Sequence, residues 1–250
     1  MKNIWYNKDT VKGTPLKKGI DSLKKILVLD VEGLSGKRPY DIGFIVADKK
    51  GNVYETFSLA CLPCVWENLS TTFVTSQEKA KVMTHRNIQE ILETPTKYQW
   101  LTVDEVLRTL DNVIAQYKIS EVWAYNCTFD KSMIDKLLDS KTADYPNICQ
   151  ISWCDIWSVI VMTKCLTKKF VKYCRDNGYV TEKGNIKTSA EVVYGYLTKN
   201  NGFEEEHTGL SDCKIELEIL ARAVKTKKKI ISDIRQPWKL VKEFVEREGL

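Results

Sequence analysis

The segment KILVLDVEG, residues 25–33, runs apolar side chains straight into two carboxylates, Asp30 and Glu32, with only Val31 between them. Residues two apart on a strand point to the same face, so the two acids aim together. They stand near the C-terminal end of their strand, where open α/β sheets usually hold their sites. Adjacent carboxylates repel unless a cation or a shared proton offsets them. An all-oxygen ligand set suits a hard cation such as Mg2+ or Mn2+. By itself the tripeptide is weak, because a solvated pair of acids at a turn is spelled the same way.

Two distant stretches add to it. AYNCTFDKSMIDKLL, residues 124–138, puts Asp130 at the start of an amphipathic helix just after a strand, where an acid is also ordinary capping chemistry. EEEHTGLSDCKIELEIL, residues 204–220, supplies His207 and, five residues on, Asp212 at a second helix start. Histidine is scarce, and His85 is the other one. His85 and Glu90 repeat the five-residue offset, but they lie inside a charged helical stretch with no acid-bearing strand end attached. His85 therefore reads as a surface or capping histidine. Asp155 follows a strand at a helix N-cap position, with electrostatic support of a site as the competing reading.

Taken in order, Asp30-x-Glu32, Asn126-x-x-Phe129-Asp130 and His207-x-x-x-x-Asp212 resemble the three-motif signature of the DEDDh 3′→5′ exonucleases. That family sits in the ribonuclease-H-like superfamily with the proofreading epsilon subunit, RNase T and oligoribonuclease. The likeness spans about residues 25–225, and the strand PYDIGFIV also resembles the family's second strand, where an Ile-Gly pair is common. Three details depart from the pattern. Val31 stands where Thr is frequent, GLSGKRP is a short connection, and HTGLSD replaces a commoner alanine-leucine-aspartate ending.

The resemblance implies that Asp30, Glu32, Asp130 and Asp212 hold two Mg2+ or Mn2+ ions about 3.5–4 Å apart. It implies that His207 is the general base for the attacking water. It places Gly33 and Leu34 beside the terminal sugar and base, and Asn126 and Phe129 near the strand, although Phe129 also fits as a core residue of its helix. The implied reaction trims single-stranded DNA or RNA from the 3′ end to nucleoside 5′-monophosphates. A catalytically silent nucleic-acid-binding module on the same fold is the alternative, and the full set of acids with His207 argues against it. A structural protein with solvated acids and an endonuclease of the same superfamily are the other competitors. A second copy of the chain, or a polymerase or processing factor, is compatible as a partner.

The elements that must position these residues are legible from periodicity. Strands are expected at 25–31, 40–47 and 52–60, with DKKGN as the turn joining the second and third in antiparallel. Helical spacing covers 75–94, 102–117 and 208–224. EVWAYN, 121–126, and ICQISWC, 148–154, read as strands four and five. The sum is an α/β chain with a ribonuclease-H-like mixed five-stranded sheet, a three-stranded antiparallel meander plus parallel strands, flanked by helices. Residues 1–24 read as an N-terminal arm, 25–225 as the exonuclease domain and 226–250 as a basic, amphipathic extension.

The bulk composition is compatible. The chain has 250 residues, of which 43% are hydrophobic and 28% charged, which excludes a mainly disordered polymer. No apolar run approaches ~18 residues, so no membrane span is expected. Nothing in MKNIWYNKDT resembles a signal peptide, which makes a cytoplasmic location the expectation. The net charge of +5 permits a polyanionic partner, and KTKKK at 225–229 is the densest basic run. Eight cysteines then read as reduced thiols. CLPC at 61–64 lacks a second soft-ligand pair for zinc.

Overall fold

The computed structural model describes residues 24–72, 79–141, 143–226 and 230–250. The N-terminal arm up to residue 23, and Lys227, Lys228 and Lys229 of the basic run, lie outside the described residues. The chain opens with β1 (Lys25–Glu32), β2 (Asp41–Asp48) and β3 (Val53–Cys61), followed by helices α1 (Leu62–Thr72) and α2 (Lys79–Glu93). Next come β4 (Gln99–Leu101), α3 (Val103–Tyr117), β5 (Glu121–Ala124), α4 (Cys127–Asp139) and α5 (Pro146–Gln150). The remainder is β6 (Ser152–Asp155), α6 (Ile156–Ile160), α7 (Lys168–Asp176), α8 (Ala190–Thr198), α9 (Gly209–Val224) and α10 (Trp238–Arg247).

The strands form one mixed sheet in the order β4-β3-β2-β1-β5-β6. The β1–β2 and β2–β3 pairs are antiparallel, as the hairpin turn requires. Strands β5 and β6 extend the sheet parallel to β1. This is an α/β fold with helices flanking a mixed sheet, compatible with a ribonuclease-H-like architecture. It has six strands rather than five, because the three residues of β4 add to the edge beside Leu59–Cys61. A three-residue strand is too short for a period-2 pattern to announce it.

One expected strand is partly helical. Residues 146–150 form α5, and of the ICQISWC stretch only 152–154 pair, as part of β6 (Ser152–Asp155). The cause is a distant cap. The Asp111 carboxylate accepts the Asn147 and Ile148 backbone N–H groups at 2.9 and 3.1 Å, and Pro146 fits the first helical turn.

Both faces of the central strands are covered, and their alternation decides where the acids go. Leu27, Leu29 and Val31 belong to one buried cluster with Ile42, Phe44, α3 and α4 residues. Ile26 and Val28 belong to the other, with Ile45, Ala47 and residues of α6 and α9. Each fully buried aliphatic side chain contributes roughly 1.5–3 kcal/mol, so a one-residue slip of β1 would be very costly. Continuing the even-numbered face beyond Val28 brings Asp30 and then Glu32 onto the side covered by α9. Their partners on β2 are Gly43 and Asp41. The C-terminal segment packs on that same second cluster through Val241, Leu240, Phe244 and Val245. No helix among the described residues is long and apolar enough to cross a membrane.

Candidate metal centre

Helix α9 reaches the acids because two glycines let it. Gly209, in its first turn, lies against Gly43 of β2. A Cβ on Gly43 would fall 2.0 Å from the Gly209 carbonyl carbon, and one on Gly209 would fall 2.4 Å from the Gly43 nitrogen. The glycine in HTGLSD is thus a steric requirement of this packing. The seat is fixed by polar contacts as well. The Gly209 N–H donates to the buried Asp41 carboxylate at 3.1 Å, and the Cys213 thiol donates to the Gly43 carbonyl at 3.2 Å.

That docking carries His207 and Asp212 to Glu32. One ligand atom from each of Glu32, His207 and Asp212 lies within 4.8 Å of the others. His207 has a left-handed backbone, φ 55°, which is uncommon for a residue with a side chain. Its carbonyl accepts the side-chain N–H of buried Asn87, on α2, at 2.8 Å. The decoy histidine of that helix does something else: His85 Nδ1 pairs with the Thr72 hydroxyl at 3.1 Å.

Asp130 arrives from the other side. Strand β1 pairs with β5 at Leu27 and Val28, and farther along the Val31 N–H is accepted by the Asp130 carboxylate at 3.2 Å. Asp130 is therefore pinned to the residue that separates Asp30 from Glu32, and it is buried. The loop before α4 is set by Asp155. One of its oxygens accepts the Asn126 N–H at 2.9 Å, where Asn126 is left-handed at φ 60°, while the side chain also caps α6 through Trp157 and Ser158. Asp155 is a cap, as its position suggested, and one that also holds the motif containing Asp130.

Electrostatically the cluster is overloaded with negative charge. Burial is the main cause that pushes the Asp30 and Glu32 carboxyls well above their ordinary range, with further repulsion from Glu216 and Asp212 respectively. Burial raises Asp130 to about 8, against the opposing Val31 N–H. Burial and then repulsion from Glu205 raise Asp212 to about 8. Buried oxygens of Asp30, Asp212 and Glu216 have no hydrogen-bond partner. Unpaired buried carboxylate oxygens are costly, and an oxygen-rich set of this kind fits a divalent cation, which would offset their repulsion.

A cavity of about 650 Å³ is lined by Asp30, Glu32, His207, Asp212 and Glu216 together with Asn126 and Phe129, while the buried Asp130 stands behind that lining. Gly33 and Leu34 are not part of its lining. The Leu34 side chain is buried and its N–H donates to the Asn68 side chain at 3.0 Å, while Gly33 packs where a Cβ would strike Met133. The sequence reading passed over Glu216. It is 3% exposed, lines the cavity and lies one helical turn beyond Asp212. Its i+4 offset from Asp212 was the available signal. Glu205, Asn87 and the wall formed by 181–190 were also missed, the last two because their contacts are long-range. CLPC holds two buried free thiols whose sulfurs stand 3.1 Å apart, away from this cavity. Compared with known proteins, the chain matches no family model and no curated protein, so what can be said of its chemistry rests on the geometry of this site.

Proposed function

We propose that the chain is a metal-dependent 3′→5′ exonuclease that hydrolyses single-stranded nucleic acid to nucleoside 5′-monophosphates. One observation carries the reading. Residues separated by as many as 180 positions, Glu32 and Asp212 with His207 beside them, bring ligand atoms within 4.8 Å in a cavity that also contains Asp30 and receives the Asp130 helix. The order and spacing of the three motifs support the same chemistry.

Asp30, Glu32, Asp130 and Asp212 are the residues that would hold two Mg2+ or Mn2+ ions. When bound, the ions would neutralise the acids and stabilise both the attacking and the leaving oxygens of the phosphodiester. His207 accepts the proton of the attacking water. Its tether to Asn87 and its left-handed backbone restrict where the imidazole stands, which serves orientation. Asn126 and Phe129, on the cavity lining, orient the strand.

The test is digestion of 5′-labelled single-stranded DNA and RNA of equal sequence with Mg2+, Mn2+ or EDTA, beside Asp30→Asn and His207→Ala. A ladder shortening from the 3′ end, lost with EDTA and in both variants, is the expected result. Cutting that persists in EDTA, or that proceeds from the 5′ end or internally, would overturn the reading. The preferred strand assigns the substrate as DNA or RNA.

A further inference from the structure

The cavity lining joins two kinds of side chain. Asp30, Glu32, Asp212, Glu205 and Glu216 are acids. Tyr125, Trp157 and Trp238 are aromatic, and Phe129, 38% exposed, is the chain neighbour of Asp130. Two of the aromatic rings are held in place. The Trp157 and Tyr125 rings stack with centroids 6.2 Å apart at 22°. Both are fastened to one residue of a segment that lines the cavity: the Trp157 indole N–H donates to the Thr188 hydroxyl at 2.9 Å, and the Tyr125 hydroxyl donates to the Thr188 carbonyl at 2.6 Å. Thr188 itself is buried, and Val180 bridges Ile186 to close the hairpin behind it. Rings locked in this way present a fixed face at little further entropic cost on binding.

We infer that Trp157, held by Thr188, is the stacking platform for a nucleobase of the strand whose phosphate the acids of the same cavity serve. The inference rests on the metal-dependent nuclease reading. Charge complementarity selects the occupant. Cations held by the acids would attract phosphate, as Lys187 on the lining does, whereas the Trp157 and Tyr125 rings are uncharged and planar. A ligand satisfying both kinds of side chain carries a phosphate and a flat ring, and a nucleotide does. Stacking tolerates every base, because each has a π face, so this platform grips without dictating sequence.

The experiment is calorimetric titration of the full chain with Mg2+ or Mn2+, comparing deoxyadenosine 5′-monophosphate with 2-deoxyribose 5-phosphate, which lacks the base. Wild-type protein is expected to bind the base-bearing ligand about tenfold more tightly. Trp157→Ala should collapse that ratio toward one while leaving the sugar phosphate's affinity in place. Trp157→Phe, which keeps a ring, should retain most of it and serves where the alanine variant does not fold. Equal binding of the two ligands by wild type, or an unchanged ratio in folded Trp157→Ala, overturns the platform but leaves the nuclease reading standing. Failure of wild type to bind either ligand with any cation removes the metal-site reading and the platform with it.

Discussion

Gly43 and Gly209 meet backbone to backbone, and this contact sets the distance between the acids of β1 and the residues of α9. Gly43 pairs with Asp30 across the sheet, and the Asp30 carbonyl is itself 3.0 Å from where a Gly209 Cβ would stand. Either glycine replaced by alanine must push α9 off the sheet. Gly43→Ala and Gly209→Ala are each expected to cost about 1–3 kcal/mol of stability or more. The proposed nuclease activity should fall much further than stability at a temperature where both variants remain folded. Denaturant titration beside the digestion assay measures both, and near-wild-type activity in a folded variant would contradict the packing argument.

Asn87 is expected to act on catalysis through His207. Asn87→Ala removes the donor to the His207 carbonyl. The loss should cost roughly 1 kcal/mol in stability. It should lower kcat with little change in KM, because the strand does not touch Asn87 in the proposed arrangement. His207→Ala is expected to be worse, by about 10²–10⁴-fold in rate, the usual worth of a general base. Steady-state kinetics on a short oligonucleotide separates the two effects.

The acid cluster makes a signed prediction about pH. Asp130 and Asp212 titrate at about 8 in the folded chain against an ordinary 3.8, and Asp41 and Glu205 at about 7 against 3.8 and 4.5. Between those ordinary values and about 8, the metal-free folded chain binds more protons than the unfolded one. Its stability must therefore decline as pH rises through that window and be lowest above it. Cation binding requires the deprotonated carboxylates, so the rise in Tm produced by Mn2+ should grow with pH over the same window. Thermal melts from pH 5 to 9, with EDTA and with Mn2+, test both trends. A metal-free Tm that climbs with pH would be incompatible with this electrostatic description.

Glu216 provides a contrast between stability and function. It is the largest charged contributor to the raised Asp30 carboxyl, and its own titration is pushed up chiefly by burial and then by Asp130. Glu216→Gln keeps the shape and removes the charge. Without metal at pH 8–9 this variant should melt higher than wild type, by about 2–4 °C for each kcal/mol of repulsion relieved. With Mn2+ its added gain in Tm should be smaller than that of wild type. A variant that melts lower without metal and responds fully to Mn2+ would assign Glu216 to packing instead.

Much of this was determined by the sequence alone. The alternation Ile26, Val28, Asp30, Glu32 is local, and a period of two suffices to put both acids on one face. The helix starts at Asp130 and Asp212, and the cap at Asp155, were visible for the same reason, since caps and amphipathic stripes are written within a few residues. The tertiary structure decided the rest. That Gly209 must be glycine, that Asn87 holds His207 from 120 positions away, and that Asp111 turns residues 146–150 into a helix all depend on partners far along the chain. Glu216 sits on a helix that periodicity alone locates at 208–224, yet its burial follows from what β1 and α4 present to it. Thr188 joins Tyr125 and Trp157 into a wall that no periodicity encodes. Local patterns record which face a residue occupies. Which two faces meet, and what their side chains then satisfy or leave unpaired, is settled only when the chain packs.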